Sequence, residues 1–480
     1  MPRRTKIVAT LGPATDSASV LDWLIRAGVD VVRLNLSHDS HDRHRERVRL
    51  LRERAAVAER EIAVLLDLQG PKIRVGAFRD GRIELKVGDG FAIDAGCGLD
   101  DGDADRVGTT YPSLADDLSH GDILVLDDGA IELLVERVAA GCAQCKVVVG
   151  GILSNNKGIN KKGGGLSAPA LTEKDKRDIA FAAEIDADYL AVSFVCNGDD
   201  VRLARKLFRE AGGRGGIVSK IERAEALNAL EEIIRTSDII MVARGDLGVE
   251  IGDAELPAVQ KRLISQARHN NCVVITATQM MQSMIESAIP TRAEVFDVAN
   301  AVLDGTDAVM LSAESSIGKH PAKVVEALHR ICLEAEKHAR KSKHRIDSVF
   351  GRVDEAIAMA TMYTANHLGV AAIAALTETG STVKWMSRMS SGIPIYAVTR
   401  SADTRRKVTL FRGVYPVSFD VASKDIHEVN RDMIDELVRR GTVCDGDLVI
   451  ITKGDRSGVE GQTNIMKIMR VGEHALLTDD

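Results

Sequence analysis

Aromatic residues are scarce in this 480-residue chain, at 3 %. So few rings give little to stack bases on, which argues against nucleic acid as a partner. No apolar stretch approaches the ~18 residues of a membrane-crossing helix, so no membrane partner is expected. No apolar signal core follows the basic start Met1-Pro2-Arg3-Arg4, so secretion is not expected either. Cysteines number seven, an odd count scattered along the chain, which fits reduced thiols in a cytoplasmic protein. The one close pair, Cys142 and Cys145, lies in an alternating strand-like segment with no second pair nearby. Neither metal nor redox chemistry is assigned to it. A Walker loop is also missing, because Gly318-Lys319 is followed by His320 rather than Ser or Thr. Any nucleotide must be held in another way.

What is present is an ordinary globular composition, 45 % hydrophobic and 28 % charged, with a net charge of -7. Both signs are mixed along the chain, which favours solubility. At about 100–200 residues per domain, the length allows two to four domains.

Short apolar runs ending in small polar clusters recur at 6–12, 31–38, 63–70, 189–195, 216–222, 239–247, 272–280 and 308–314. Runs this short and apolar suit strands of a parallel sheet buried on both faces. Helix-period patterns fill most of the gaps, at 17–27, 41–58, 172–186, 199–211, 223–235, 255–270, 291–304 and 321–341. Thr291 and Glu294 form an expected capping box. Eight strand–helix units predict a (β/α)8 TIM barrel over 1–70 and 169–344.

The rhythm breaks at 71–168, where strand alternation and turns predict an inserted β-barrel-like domain. Asp128-Gly129 reads as its hairpin turn. The returning segment, Asn155 to Gly165, combines Lys157, Lys161 and Lys162 with three consecutive glycines. It reads as a hinge and as a mobile basic lid over anionic substrates. From 345 to 480 a helix at 354–367 and strands at 371–376, 394–399, 414–419 and 447–452 predict a C-terminal α/β domain.

In such a barrel the chemistry lies at the C-terminal ends of the strands. The polar residues ending the runs are Thr10, Arg33, Asn35, Ser37, Asp67, Lys220, Glu222, Asp246, Thr278 and Glu314. Lys220 and Glu222 are two apart, so they face the same way. Asp246 comes from the next strand. Two carboxylates on neighbouring strands suit Mg2+, which leaves its other positions to water and substrate oxygens. A lysine beside them can neutralise charge on a transferring phosphoryl group or an enolate oxygen. A purely structural ion triad is the competing reading. His38, His41 and His44 open a charged helix and read as a solvated face rather than a metal cluster.

Six motifs in order then carry a resemblance. They are Thr5–Thr15 (TKIVATLGPAT), Arg33–His38 (RLNLSH), Asp67–Arg74 (DLQGPKIR), Ser219–Glu222 (SKIE), Met241–Glu250 (MVARGDLGVE) and Thr276–Met280 (TATQM). The chain resembles the pyruvate kinases over essentially its full length. That resemblance implies transfer of a phosphoryl group from phosphoenolpyruvate to ADP, giving ATP and pyruvate. It implies that Glu222 and Asp246 hold Mg2+, with Mn2+ as a substitute, and that Lys220 stabilises the phosphoryl group and the enolate. Gly245 and Asp246 would meet the substrate carboxylate, Arg33 would grip the phosphoryl group, and Thr278 would bind substrate and help deliver the proton. Arg74 and Lys157 would contact nucleotide as the inserted domain closes.

Relatives that bind K+ do so through positions matching Asn35, Ser37, Asp67 and the carbonyl of Leu68. This chain has Lys72 where those relatives have Glu, and Leu68 where they have Thr, so K+ is expected not to be required. Thr377, Thr379, Gly380, Ser381 and Thr382 match the region where relatives bind phosphorylated regulators. A phosphate at a helix N-terminus suits that segment, and activation by a sugar phosphate or AMP is expected. Relatives are homotetramers. Two other functions stay open on the residues alone: a Mg2+-enolate lyase or aldolase, and a regulatory paralogue without turnover.

Overall fold

The computed structural model describes residues 2–338, 350–389, 391–420, 426–454 and 463–473. Eight parallel strands close into a barrel. They are Lys6–Thr10, Val31–Asn35, Ala63–Asp67, Tyr189–Val192, Gly216–Ile221, Ile239–Ala243, Val273–Ala277 and Ala308–Leu311. The eighth returns to the first with Ala308 beside Lys6. Strand alternation sorts the apolar residues into two sets. Ile7, Leu34, Leu66 and Val242 point outward under the helices. Val8, Leu65, Met241 and Ile275 point inward and fill the barrel.

Two elements differ from the sequence pattern. The run expected as a strand over 239–247 ends at Ala243, and Arg244–Ile251 is a helix. The helix expected over 223–235 is broken into Ala224–Asn228 and Leu230–Thr236. The capping box of Thr291 and Glu294 is formed.

The bottom of the barrel has a regular device. Asp30, Asp188, Asp238 and Asp307 each accept a hydrogen bond from the N–H of the second residue of a barrel strand, Ile7, Val64, Ile217 and Val274 respectively. Each also holds an arginine: Arg3, Arg406, Arg205 and Arg388 respectively. Arg388 and Arg406 belong to the C-terminal domain, so two of these aspartates dock that domain onto the barrel. The inward-facing barrel core is continuous with Met362, Val383 and Ile450 of that domain.

The insertion has its own core around Val75, Phe91, Leu124 and Val135. Six strands form one sheet, and Gly151–Ser154 pairs with Arg82–Leu85 in a second. Leu126 and Ile131 flank the expected hairpin turn. The C-terminal sheet has parallel strands Ala372–Leu376, Ile395–Thr399, Val414–Ser418 and Leu448–Gly454. Thr463–Arg470 adds an antiparallel edge strand that the sequence pattern did not reveal. Among the described residues no helix is long and apolar enough to cross a membrane.

Candidate active site

Thr10, Arg33, Asp67, Ser193, Lys220 and Glu222 all occupy inward-facing positions near the C-terminal ends of their strands. Lys220 Nζ lies 2.8 Å from Glu222 Oε1 and 3.3 Å from Asp67 Oδ1. It also donates to Ser193 Oγ at 2.7 Å. Arg33 Nε donates to Asp67 Oδ2 at 2.7 Å, and its Nη1 donates to Thr10 Oγ1 at 3.1 Å. Burial opposes both the Lys220 ammonium and the Asp67 carboxylate. Their mutual attraction outweighs that, with Glu222 helping on one side and Arg33 on the other. Lys220 is therefore held above the ordinary lysine range and Asp67 below the ordinary carboxylate range. At neutral pH Lys220 is a fixed cation, suited to stabilising negative charge rather than abstracting protons.

Glu222 is buried, and its Oε2 accepts from the Phe194 N–H at 2.7 Å. Burial pushes its carboxyl up; Lys220 opposes this and the negative charge of Asp246 adds to it. Asp246 sits in the first turn of helix Arg244–Ile251.

Thr278 and Gln279 follow with φ of 66° and 53°, a left-handed conformation uncommon for residues with a side chain. Arg244 holds them there. Its guanidinium donates to the carbonyls of Thr278 at 2.7 Å and Gln279 at 3.1 Å, while Nη1 pairs with Asp297 at 2.7 Å. Strain of this kind persists only where the surroundings over-determine it, and it gathers at functional sites. The strained turn points Thr278 Oγ1 at the Gly245 N–H, 2.8 Å away, and the hydroxyl donates to the Ala277 carbonyl.

The limbs of the inserted domain run side by side, with Arg74 bridged to Gly158. Arg74 donates to the Asn156 carbonyl at 2.8 Å, and Lys157 pairs with Asp127 at 2.7 Å. Lys72 alone of this group reaches the barrel, 3.1 Å from Asp246.

Residues 2–325 match the family model described as pyruvate kinase, barrel domain, and residues 355–469 match pyruvate kinase, alpha/beta domain. The chain belongs to the pyruvate kinase family. It is 54 % identical over 475 residues to pyruvate kinase II of Salmonella typhimurium, covering 98 % of this chain and 99 % of that one. A pyruvate kinase of Buchnera aphidicola is 52 % identical, with coverage of 98 % and 99 %. A third, from Haemophilus influenzae, is 50 % identical with the same coverage. The chain is thus a phosphotransferase of the pyruvate kinase type.

The donor set of this pyruvate kinase fits a magnesium ion. Among the described residues no group of three or more His, Cys, Asp or Glu side chains could form an all-protein cage. Two carboxylates that repel each other are what Mg2+ takes when substrate and water complete its coordination. Asn35 Oδ1 accepts from the Ser37 N–H at 3.1 Å, and the Leu68 carbonyl accepts from Ser193 Oγ at 2.8 Å. Both Asp67 oxygens already face cations.

Elsewhere the grouping is different. Glu314 does not join the centre: its carboxylate ties the N–H groups of Met281 and Ser312. The histidines are not a uniformly solvated face. His44 is buried with Nε2 against the His38 carbonyl, and His41 stacks on Phe181 and pairs with Asp178. In the C-terminal domain, Thr377 Oγ1 accepts from the Gly380 N–H. Gly380 has φ of 82° and opens helix Ser381–Arg388. Ser381 Oγ donates to Asp354, and Thr382 Oγ1 shares a hydrogen bond of 2.7 Å with Thr463. Ser193 was not singled out in the sequence, although it follows the strand Tyr189–Val192 at the inward parity.

Proposed function

We propose that this enzyme moves the phosphoryl group of phosphoenolpyruvate to ADP, releasing ATP and pyruvate in glycolysis. The observation that carries this reading is the buried cation Lys220, set between Asp67 and Glu222 with Asp246 nearby. A dication held by Glu222 and Asp246 would supply positive charge to substrate carboxylate and phosphate oxygens.

The chain's own residues do the rest. Arg33, anchored by Asp67, presents its guanidinium to the phosphoryl oxygens. The bond from the enol oxygen to phosphorus breaks as an ADP β-phosphate oxygen forms its own, and Lys220 stabilises the charge shared between them. The enolate left behind takes a proton at its methylene carbon, which the Thr278 hydroxyl would help deliver. Arg74, Lys157 and Lys72 on the inserted domain's limbs bring cations over the nucleotide as the domain closes, excluding water as a competing acceptor. Lys72 beside Asp246 supports independence from K+, because a tethered ammonium supplies charge that a mobile cation otherwise brings.

Activation by a sugar phosphate or AMP is proposed at Thr377, Thr379, Gly380, Ser381 and Thr382. The supporting features are the left-handed Gly380 and the helix N-terminus it opens.

A coupled assay of pyruvate formation with and without ADP tests the reading. ADP-dependent pyruvate is expected. Pyruvate formed equally without ADP would favour a lyase, and no pyruvate under either condition would favour a paralogue without turnover.

A further inference from the structure

Helix Arg244–Ile251 carries Asp246 in its first turn and Glu250 in its last. Glu250 is 4 % exposed and bonds to two separate parts of the chain. Its Oε2 accepts from the Ala224 N–H at 2.8 Å, just beyond Glu222. Its Oε1 accepts from Asn160 Nδ2 at 3.4 Å. Asn160 belongs to Ile159–Lys161, the strand by which the inserted domain returns to the barrel. The backbone carbonyl of Glu250 accepts from the Gly163 N–H at 2.9 Å. Gly163, Gly164 and Gly165 follow at φ of 84°, 81° and 95°, a conformation that favours glycine and makes this limb a hinge.

We propose that Glu250 is a positioning residue that couples movement of the inserted domain to the relative placement of Glu222 and Asp246. The proposal rests on the phosphoryl-transfer reading above. The helix is rigid, and four residues of it span only about 6 Å. A shift of the returning strand pulls on Asn160 and Gly163, and so on the last turn of the helix. Asp246 moves with that turn, while the bond to Ala224 keeps the helix in register with the end of the Glu222 strand. The inserted domain can thus close over nucleotide only as the two carboxylates adopt one spacing.

The charged groups near Glu250 are Glu225 and Arg223 on the barrel side and Lys72 on the limb leading into the insertion. Arg223 is spent on the Leu166 carbonyl and Cys196 Sγ. Glu250 is therefore held by amide donors, and burial, with Glu225 adding, pushes its carboxyl up to about 7. A proton taken up there would weaken one of the tethers.

The test uses the full-length enzyme, with Mn2+ binding followed by water proton relaxation alongside initial rates. Glu250→Ala is expected to weaken Mn2+ binding at least about tenfold, as for loss of a residue that orients a metal ligand. It should also raise the KM for ADP. Asn160→Ala, which cuts only the side-chain bond from the returning limb, should raise the KM for ADP and leave Mn2+ affinity unchanged. Glu250→Gln keeps the shape and should recover most of the Mn2+ affinity while flattening the pH dependence of the rate around neutrality. Normal Mn2+ affinity and normal KM for ADP in Glu250→Ala, with only a lower melting temperature, would overturn the proposal. If Glu250→Ala does not fold, wild-type values in both other variants would overturn it equally. A wild-type enzyme that makes no pyruvate from phosphoenolpyruvate and ADP would instead remove the underlying reading.

Discussion

The Lys72 ammonium lies 3.1 Å from the Asp246 carboxylate, joining the limb that leads into the inserted domain to the helix at the barrel mouth. A longer contact of 3.9 Å links the same ammonium to Asp128 in the insertion's hairpin turn. One side chain thus sits between barrel and lid, carrying positive charge where anionic substrates would meet.

That placement predicts the monovalent-cation behaviour. The wild-type enzyme is expected to run at similar rates in Na+, K+ and a bulky organic cation. Lys72→Glu puts a carboxylate beside Asp246, and charges ~4 Å apart near a surface interact by several kcal/mol. The variant should be slow in a bulky organic cation and recover at least about tenfold on adding K+, a small cation that can approach and offset that interaction. Large, selective K+ activation of the wild type would rule out the built-in ammonium.

Lys220→Ala should lower turnover by at least about 10²-fold, the scale of losing a donor that acts in the transition state. The variant also leaves Asp67 and Glu222 buried with one cation fewer, so a stability loss of about 3–5 kcal/mol is expected. Denaturant unfolding and steady-state rates, measured on the same preparation, separate the two effects. Near-normal turnover would refute the role of Lys220.

Replacing Ser381 and Thr382 together by Ala should abolish activation by sugar phosphates or AMP. Basal turnover should change little, because both residues are far in the sequence from the barrel-mouth motifs and, among the described residues, their hydroxyls bond to Asp354 and Thr463 of the C-terminal domain. Activation curves with each candidate effector provide the measurement. Full activation of the double variant would place the site elsewhere.

Lys6 is buried beneath Tyr415, and its ammonium donates to the Val414 carbonyl at 2.6 Å. Burial brings its pKa down to about 8 from an ordinary value of 10.5. Between those values the unfolded chain binds more protons than the folded one, so this residue makes stability rise with pH across that window. Lys6→Met should lose that contribution. Melting temperatures of the two proteins at pH 8 and pH 10 should therefore differ in their change with pH, the wild type gaining relative to the variant. Parallel changes would remove Lys6 from the account.

Much of the barrel was legible because its strands are buried on both faces and its helices cover them. Val8, Leu65 and Met241 alternate with outward partners. The same period of two puts Lys220 and Glu222 on one face of their strand, as the sequence implies, and closure of the barrel turns that face inward. Arg244-Gly245-Asp246 was misread as the end of a strand. The apolar run gives no sign of where extended backbone turns helical, and the residues that stabilise the turn, Thr278 and Asp297, lie far along the chain. The edge strand Thr463–Arg470 escaped because its apolar residues come in adjacent pairs, Ile465-Met466 and Ile468-Met469, rather than in strand alternation. His44 reads as solvated because the charged residues of its helix conceal the inward stripe of His44, Arg47, Val48, Leu51 and Ala55.

The sequence by itself determined the layers, the family and the polar residues that end each strand, since these depend on local periodicity and on residue types in order. Only the tertiary structure decided how those residues share charge. Asp67 is divided between Arg33 and Lys220, Glu222 is set against Asp246, Lys72 crosses from the insertion, and Glu250 ties the returning limb to the helix of Asp246. Each of these contacts joins segments separated by tens to hundreds of residues. Their strength comes from burial and distance, which the barrel creates only when it closes.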